Sequence, residues 1–482
     1  MPLLFFVLIV AVGLQIGLCQ DGYAADLPDI GDGAGRVLTP EDERRIGAQF
    51  YRQLQRSVKI IDDPEVNQYI ESLGLMLVSN SDNPFQPFRF FVIDAPSINA
   101  FAAPGGYIGI HSGLISSARN EGELASVLAH EVAHITQRHL ARAIEAQSKS
   151  APLSTAALLA AILLGAQGSG QAAQAAVAST IAGAQQSSIN FTRSNEKEAD
   201  RTGIAILARS GIDPRAMPDF FERLEQVSRV NKSALPEFLR THPVTQSRIA
   251  DSRSRADQHS GAGRIDSDYF QLIKARLQVI LSDNKQDVLQ QFEAAVGKAD
   301  ATAATRYGYA LALTINEKYE AARQQLEKLL QQAPDHSHYV SALAEVELAD
   351  HNDERALQLL ADNFELNPYN HAVTMNYADA LLLTQHPQQA QELLQAHLRR
   401  GGGSSSALTY KLLAQAFGAS NATLEAHEAL AEYEYLSGDY DEAISHLEIA
   451  SRLAKDKDQL AAQRIDARIE QLKNMISEDR RG

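Results

Sequence analysis

The chain has 482 residues, of which 45% are hydrophobic and 22% are charged, the ordinary composition of a globular protein. Its length predicts two or three domains. The formal net charge is −16 and no basic patch is evident in the sequence, which excludes nucleic acid as the expected partner.

The first predicted element is an export signal. Residues 3–18 are almost wholly apolar, and Gly22-Tyr23-Ala24 fits the small-x-small pattern of a cleavage site. We therefore predict a signal peptide over residues 1–25, with a single N-terminal membrane anchor as the alternative. The one cysteine, Cys19, falls within this segment, so the mature chain is expected to have neither a disulfide nor thiol chemistry.

A small sheet is predicted next. Residues 88–93 are rich in aromatic and β-branched side chains, which favours a strand. Residues 103–106 (Ala-Pro-Gly-Gly) are typical of a turn, and residues 107–110 form a second candidate strand.

A buried amphipathic helix follows. Asn120 can cap it, Glu123 completes the spacing of a capping box, and apolar residues then recur at intervals of three and four. His130 and His134 are four apart, so they lie on one helix face and can share a metal ion, while Glu131 can reach the attacking water. The alternative is a pair of core histidines bonded to backbone carbonyls.

A catalytic zinc usually has three protein ligands, so a third ligand is needed. Gln137 and Leu140 stand where the metzincin pattern requires Gly and His, which excludes that class. His139 would point about 140° away from His134 on a continuous helix and could not bind the same metal. We expect His139 to lie on the surface or to support a ligand.

The stretch 150–192 contains no charged side chain. Its most apolar part, residues 156–164, is too short to span a bilayer. Three interpretations remain open: a buried hairpin, a mobile lid over the cleft, or a surface that contacts lipid or hydrophobic client proteins.

A second helix is predicted after this stretch. Ser194 or Asn195 could cap it and Gly211 could end it. Ala199 and Gly203 give this helix a small face that could pack closely on the histidine helix.

Two acidic residues on this second helix are candidates for the metal site. Glu196 and Asp200 are four apart and share a face. Glu196 would be the third ligand, and Asp200 would accept the free ring N–H of a ligand histidine. A solvated, charged helix start is the alternative.

His242, in the sequence Thr-His-Pro, is a further candidate. It could stabilise the oxyanion of the tetrahedral intermediate. It could also bind zinc as a fourth ligand and close the site. A structural histidine before proline is the third possibility.

The second half of the chain has a 34-residue period, which is typical of tetratricopeptide repeats. Stacked helix pairs of this kind form concave surfaces that bind protein segments, although a merely structural solenoid is the alternative. The period is carried by Pro334 and Pro368, by Ala310, Ala344 and Ala378, and by Ala322, Ala356 and Ala390.

Taken together, residues 40–255 resemble the M48 family of zinc metallopeptidases. The resemblance implies one zinc ion per chain, with Glu131 as general base and His130, His134 and Glu196 as ligands. The motifs that carry it are His130-Glu131-x-x-His134, Glu196-x-x-Ala199-Asp200, residues 99–102 and 105–108, Arg193, and Thr241-His242-Pro243.

The chain departs from the membrane-embedded members of that family, because no apolar run near 20 residues follows residue 20. An export signal, an M48 domain and a helical-repeat tail resemble the periplasmic members that act on outer-membrane proteins. The resemblance implies misfolded or assembling outer-membrane proteins as substrates, and assembly machinery as the partner of the repeats. It places the chain in the periplasm, peripheral to the outer membrane, with membrane contact through 150–192.

We therefore predict a mainly α protein: a zincin-like α+β metallopeptidase domain over residues 26–262 and an α-helical repeat solenoid over residues 263–482. The predicted activity is that of a zinc metalloendopeptidase with chaperone activity. The competing class is a chaperone or scaffold with a latent or structural metal site, against which the intact Glu131 argues.

A substrate can bind a peptidase as an added strand at a sheet edge. We hypothesise that the strand over 106–111, with Gly106, Tyr107, Ile108 and Gly109, is that edge. Ordinary sheet packing is the alternative.

Overall fold

A computed structural model describes residues 38–148, 193–230, 236–259, 263–402, 406–455 and 458–479. The predicted signal peptide, Cys19 and the uncharged stretch 150–192 lie outside these residues. In the part of the chain that is described, no helix combines the length and the apolarity that a membrane crossing requires.

Nine helices and one sheet make up the first half of the described chain. In chain order they are α1 (Pro40–Ser57), α2 (Pro64–Ser79), β1 (Arg89–Ile93), β2 (Ala100–Ala103), β3 (Tyr107–His111), α3 (Ser112–Ser117), α4 (Glu121–Thr136), α5 (His139–Ser148), α6 (Arg193–Arg209), α7 (Ala216–Val230), α8 (Glu237–Thr241) and α9 (Gln246–Ala256).

Twelve helices make up the second half of the described chain. They are α10 (Asp268–Ile280), α11 (Lys285–Val296), α12 (Ala303–Ile315), α13 (Tyr319–Leu330), α14 (Ser337–Ala349), α15 (Asp353–Leu366), α16 (His371–Leu383), α17 (Pro387–Arg399), α18 (Ala407–Ala419), α19 (Thr423–Ser437), α20 (Tyr440–Lys455) and α21 (Gln459–Asp479). The mainly α fold, with a small sheet and then a helical solenoid, is confirmed.

The three strands lie in the order β1-β3-β2. The central strand β3 pairs in parallel with β1 and antiparallel with β2, so both of its sides are hydrogen-bonded. The prediction that Gly106, Tyr107, Ile108 and Gly109 form a substrate edge is therefore wrong, because three of them lie in this central strand. Gly106 belongs to a short 3-10 turn, Pro104–Gly106, that leads into it.

Within the residues that the structure describes, the remaining edge of the sheet is β2. The outer side of β1 is covered, because Ile61 donates its N–H to Val92 and Asp94 donates to Lys59. The hypothesis of substrate strand addition therefore transfers to β2.

Helix α4 is the centre of the first half. It begins as predicted, with the Asn120 side chain accepting the N–H of Glu123 at 3.0 Å. All residues from Glu121 to Ile135 are buried, so the helix is enclosed on every side. Its two histidines and its central glutamate therefore lie in the protein interior, where each needs a polar partner.

Helix α6 approaches α4 closely at Gly203, as the small face predicted. A Cβ at Gly203 would lie 3.3 Å from the backbone N of His130. Gly211 has a positive φ of 71° beyond the helix end, as expected. The predicted caps are wrong, since α6 begins at Arg193 and both Ser194 and Asn195 lie within its first turn.

The solenoid follows the 34-residue period. Helices α12, α14 and α16 begin at residues 303, 337 and 371, and α13, α15 and α17 at residues 319, 353 and 387. The small residues of the period are almost fully buried because paired helices meet there: Ala310, Ala322, Ala344, Ala356, Ala378 and Ala390.

Helix α10 belongs to the cores of both halves. Phe270, Ile273 and Leu277 pack into the core around α4. Leu272 and Val279, on another face, pack into the core of the first repeats. The predicted boundary at residues 262 and 263 stays a prediction, but the two halves share this helix.

A buried arginine on α10 joins the two halves. Arg276 donates through Nε to Asp63, at 2.9 Å, and through Nη2 to Glu345, at 2.9 Å. Asp63 also caps α2 by accepting the N–H of Val66. Further along the interface, Glu65 accepts from Asn376 on α16.

We expect Arg276→Ala to destabilise the chain by about 3 kcal/mol, because two carboxylates would lose their buried cation. The loss of stability would appear as a lower midpoint of urea unfolding, followed by far-UV circular dichroism. The control is Arg464→Ala, which removes an arginine 66% exposed and paired with Glu428, and should cost within about 0.5 kcal/mol. Equal shifts of the urea midpoint in both variants would contradict the inference that Arg276 holds the two halves together.

Candidate metal centre

Four buried side chains converge between α4, α6 and the end of α8. The Nε2 atoms of His130 and His134 are 3.0 Å apart. The Nδ1 atom of His242 lies 3.3 Å from His130 Nε2 and 3.1 Å from Glu196 Oε1. Glu196 also lies 3.5 Å from His134 Nε2 and 3.6 Å from His130 Nε2.

These separations fit a tetrahedral zinc ion. Zinc holds nitrogen and oxygen ligands at about 2.0–2.2 Å, which places tetrahedral ligand atoms about 3.3 Å apart. The four ligand atoms all lie within 4.8 Å of one another. Three imidazoles and one carboxylate form a donor set that zinc accepts.

Two further residues hold this group in place. Asp200 Oδ1 lies 3.1 Å from His130 Nδ1, the ring atom that faces away from the centre. Arg248 donates to Asp200 through Nε, at 2.8 Å, and through Nη2, at 2.7 Å. Its Nη1 also lies 2.8 Å from Glu196 Oε2.

Arg248 was missed by the sequence analysis. It is only 3% exposed and compensates the charges of Glu196 and Asp200. The available signal was indirect: two buried carboxylates near one cation site require a further cation. Nothing in the spacing of residues 196–200 says that this arginine comes from α9.

The electrostatics of the site favour positive charge at its centre. Burial opposes the charge of Glu196, but His242 and His130 outweigh it and hold the pKa of Glu196 well below its usual range. Burial also opposes charge on His130, yet its hydrogen bonds to Asp200 and Glu196 raise the pKa of His130 to about 9. The carboxylates are therefore arranged to stabilise a cation.

Glu131 lies beside the centre, on the helix α4 that packs against β2. Burial raises the pKa of Glu131, against the opposing effects of His242, His130 and the backbone N–H of Ala102 on β2. His242 Nε2 lies 3.5 Å from Glu131 Oε1. A carboxylate with a raised pKa next to a metal site is suited to exchanging a proton.

His139 does not join the metal group, but the reason differs from the predicted one. Helix α4 ends at Thr136, and Arg138 has a positive φ of 52°, so His139 begins a new helix. The ring is fully buried, which makes the surface alternative wrong. Its Nδ1 lies 2.8 Å from His134 Nδ1, the supporting position of the other alternative.

Together, the buried HExxH helix, the glutamate of a second helix and the adjoining sheet define a metallopeptidase. The family model described as Peptidase family M48 matches residues 64–256. The chain is 40% identical over 454 residues to the beta-barrel assembly-enhancing protease of Escherichia coli (strain K12), covering 94% of this chain and 92% of that protein. The chain belongs to peptidase family M48, whose metal is zinc.

Two further relatives are also peptidases by name. The protein of the same name from Yersinia pestis is 37% identical over 451 residues, covering 93% of this chain and 92% of that protein. Mitochondrial metalloendopeptidase OMA1 of Schizosaccharomyces pombe is 33% identical over 181 residues, covering 38% of this chain and 50% of that protein. The second similarity is confined to part of each chain.

We expect Glu196→Gln to lower zinc affinity by more than about 100-fold, the upper range for residues that only support a ligand. The amide keeps the size of the side chain but removes the negative charge. The measurement is zinc content after dialysis, with Glu222→Gln on α7, whose side chain is 44% exposed, as the control. Full zinc occupancy in the Glu196 variant would refute its assignment as a ligand.

Proposed function

We propose that this chain is an exported zinc metalloendopeptidase that acts in the quality control or assembly of outer-membrane proteins. The observation that carries the proposal is Glu131, a fully buried carboxylate whose Oε1 lies 3.5 Å from Nε2 of His242 in the metal group. The names of the long relatives support the client class, since they are called beta-barrel assembly-enhancing proteases.

In this proposal His130, His134 and Glu196 bind the metal, and Asp200 with Arg248 fixes His130 and Glu196. Zinc held there would polarise the scissile carbonyl and acidify the attacking water. Glu131 would take the proton of that water and later give it to the leaving amine.

The edge strand β2 supports the binding of an extended substrate. Main-chain hydrogen bonds along an edge hold a peptide of any sequence in extended form. Ala102 and Ala103 of β2 line one cavity together with His134, so the strand runs close to the metal group. A peptide paired with β2 would therefore lie close to the metal group.

We infer that His242 occupies the fourth metal position in the resting state. Its Nδ1 atom is part of the group, 3.1 Å from Glu196 and 3.3 Å from His130. A four-ligand site has no position for water, so His242 must leave before catalysis. The alternative role, donation to the oxyanion, would require the same ring to move away from Glu196.

The repeats and the compartment belong to the same proposal. We propose that the solenoid recruits the client or an outer-membrane assembly machine through its concave surfaces. The predicted export signal and the names of the relatives support a periplasmic location, peripheral to the outer membrane.

A scaffold or chaperone with a structural metal site is the second candidate. The closed arrangement of four ligands favours it, because structural zinc sites are closed. Glu131 distinguishes the two candidates, since a purely structural site has no need of a buried general base.

We expect Glu131→Gln to lower the rate of casein cleavage at least about 100-fold, because general base catalysis contributes about 10²–10⁴-fold to the rate. Zinc content should stay equal to that of the wild type, since Glu131 is not a ligand. Cleavage is followed with fluorescent casein at matched zinc loading. Equal cleavage by both proteins would show that Glu131 is not the base, and client binding without cleavage by either would favour the scaffold.

We expect His242→Ala to raise casein cleavage several-fold, because the fourth position would open to water. The control is His259→Ala, which removes an exposed histidine beyond α9. A fall in cleavage would favour the oxyanion role instead, and an unchanged rate would contradict both roles.

A further inference from the structure

The two histidines of α4 are supported in different ways. His130 presents Nε2 to the centre and Nδ1 to the carboxylate of Asp200. His134 also presents Nε2 to the centre. Its Nδ1, however, faces another imidazole and not a carboxylate: His139 Nδ1 lies 2.8 Å away. The rings of His134 and His139 meet edge to face, with centroids 4.7 Å apart.

The chemistry of ligation sets the direction of this hydrogen bond. A histidine that binds metal through Nε2 is neutral and carries its proton on Nδ1. His134 therefore donates from Nδ1, and His139 must accept with the lone pair of its own Nδ1. The proton of His139 then sits on Nε2, which lies 3.3 Å from Glu198 Oε2.

Glu198 completes the chain of contacts. It accepts a hydrogen bond from Arg142 at 2.7 Å, and both side chains lie at the protein surface, 39% and 40% exposed. The contacts thus run from His134 Nδ1 to His139 Nδ1 and from His139 Nε2 to Glu198. The contact with His139 keeps the proton of His134 on Nδ1, and the contact with Glu198 keeps the proton of His139 on Nε2.

The backbone break before His139 is held firmly. Arg138, with its positive φ, donates from Nη2 to the carbonyl of Leu38 at 2.7 Å and from Nε to Glu43 at 3.2 Å. Without the break, His139 would continue the α4 helix and point away from His134. The break therefore turns the ring of His139 back toward the metal ligand.

We propose that His139 is a positioning residue that fixes the tautomer and orientation of His134, with Glu198 and Arg142 holding His139 in turn. The inference rests on the proposed zinc site and assigns a role to a histidine that binds no metal itself. It predicts that His139 contributes to zinc affinity through its acceptor atom rather than through its bulk.

Three variants separate these contributions. His139→Ala removes both the ring and the acceptor, and His139→Phe keeps a ring without an acceptor. His139→Asn places an amide oxygen near the position of Nδ1. We expect Ala and Phe to weaken zinc binding about 10–100-fold, the usual effect of losing such a support, and Asn to stay within a few-fold of the wild type.

The measurement is the dissociation constant for zinc alone, from competition with a chromophoric chelator. The absorption spectrum of the cobalt-substituted protein reports the geometry at the same time. The matched control is His397→Ala in the solenoid, which removes a buried histidine whose Nε2 lies 3.0 Å from His371 Nδ1. Its zinc affinity should equal that of the wild type.

Zinc affinity unchanged in His139→Ala would overturn the proposal. Asn as weak as Phe would overturn it too, because packing and not the acceptor would then matter. Affinity is measured without substrate, so an inactive wild type with the expected order of affinities would contradict the proposed function and still support the role of His139.

Discussion

The structure depends on the compensation of charge around one buried helix. Helix α4 is enclosed on every side, yet it brings His130, Glu131 and His134 into the interior. Polar groups at such a depth are stable only when they are paired or bind a metal. Glu196, Asp200 and Arg248 supply that compensation, and a divalent cation fits the space between the ligands. The close approach of α6 at Gly203 allows Glu196 and Asp200 to reach α4, while Arg248 comes from α9.

His242 belongs to the same group of buried, mutually compensating side chains. His242 Nδ1 faces the ligand group and His242 Nε2 faces Glu131. One ring therefore contacts both the ligand group and Glu131. Under the proposed zinc site, activity would depend on the movement of this side chain.

The solenoid is not a loosely attached module. Helix α10 contributes to two hydrophobic cores, and Arg276 connects the cap of α2 to the repeat helix α14. At the other end, Arg56 of α1 donates to the carbonyl of Gly438 at 2.8 Å. The repeats are thus packed against α1 and α2, and the solenoid has a defined place relative to the half that contains the metal group.

Local patterns in the sequence determined much of this protein. Spacing placed His130 and His134 on one helix face and Glu196 and Asp200 on another, and the alanine period located the repeat helices. These features depend on residues three, four or 34 apart, so they can be read along the chain. Only the tertiary structure decided which strand forms the sheet edge, where Arg248 lies and which atom of His242 faces the ligands. Strand order, the partner of a buried charge and the break at Arg138 depend on contacts between residues far apart in sequence, and no local period records them.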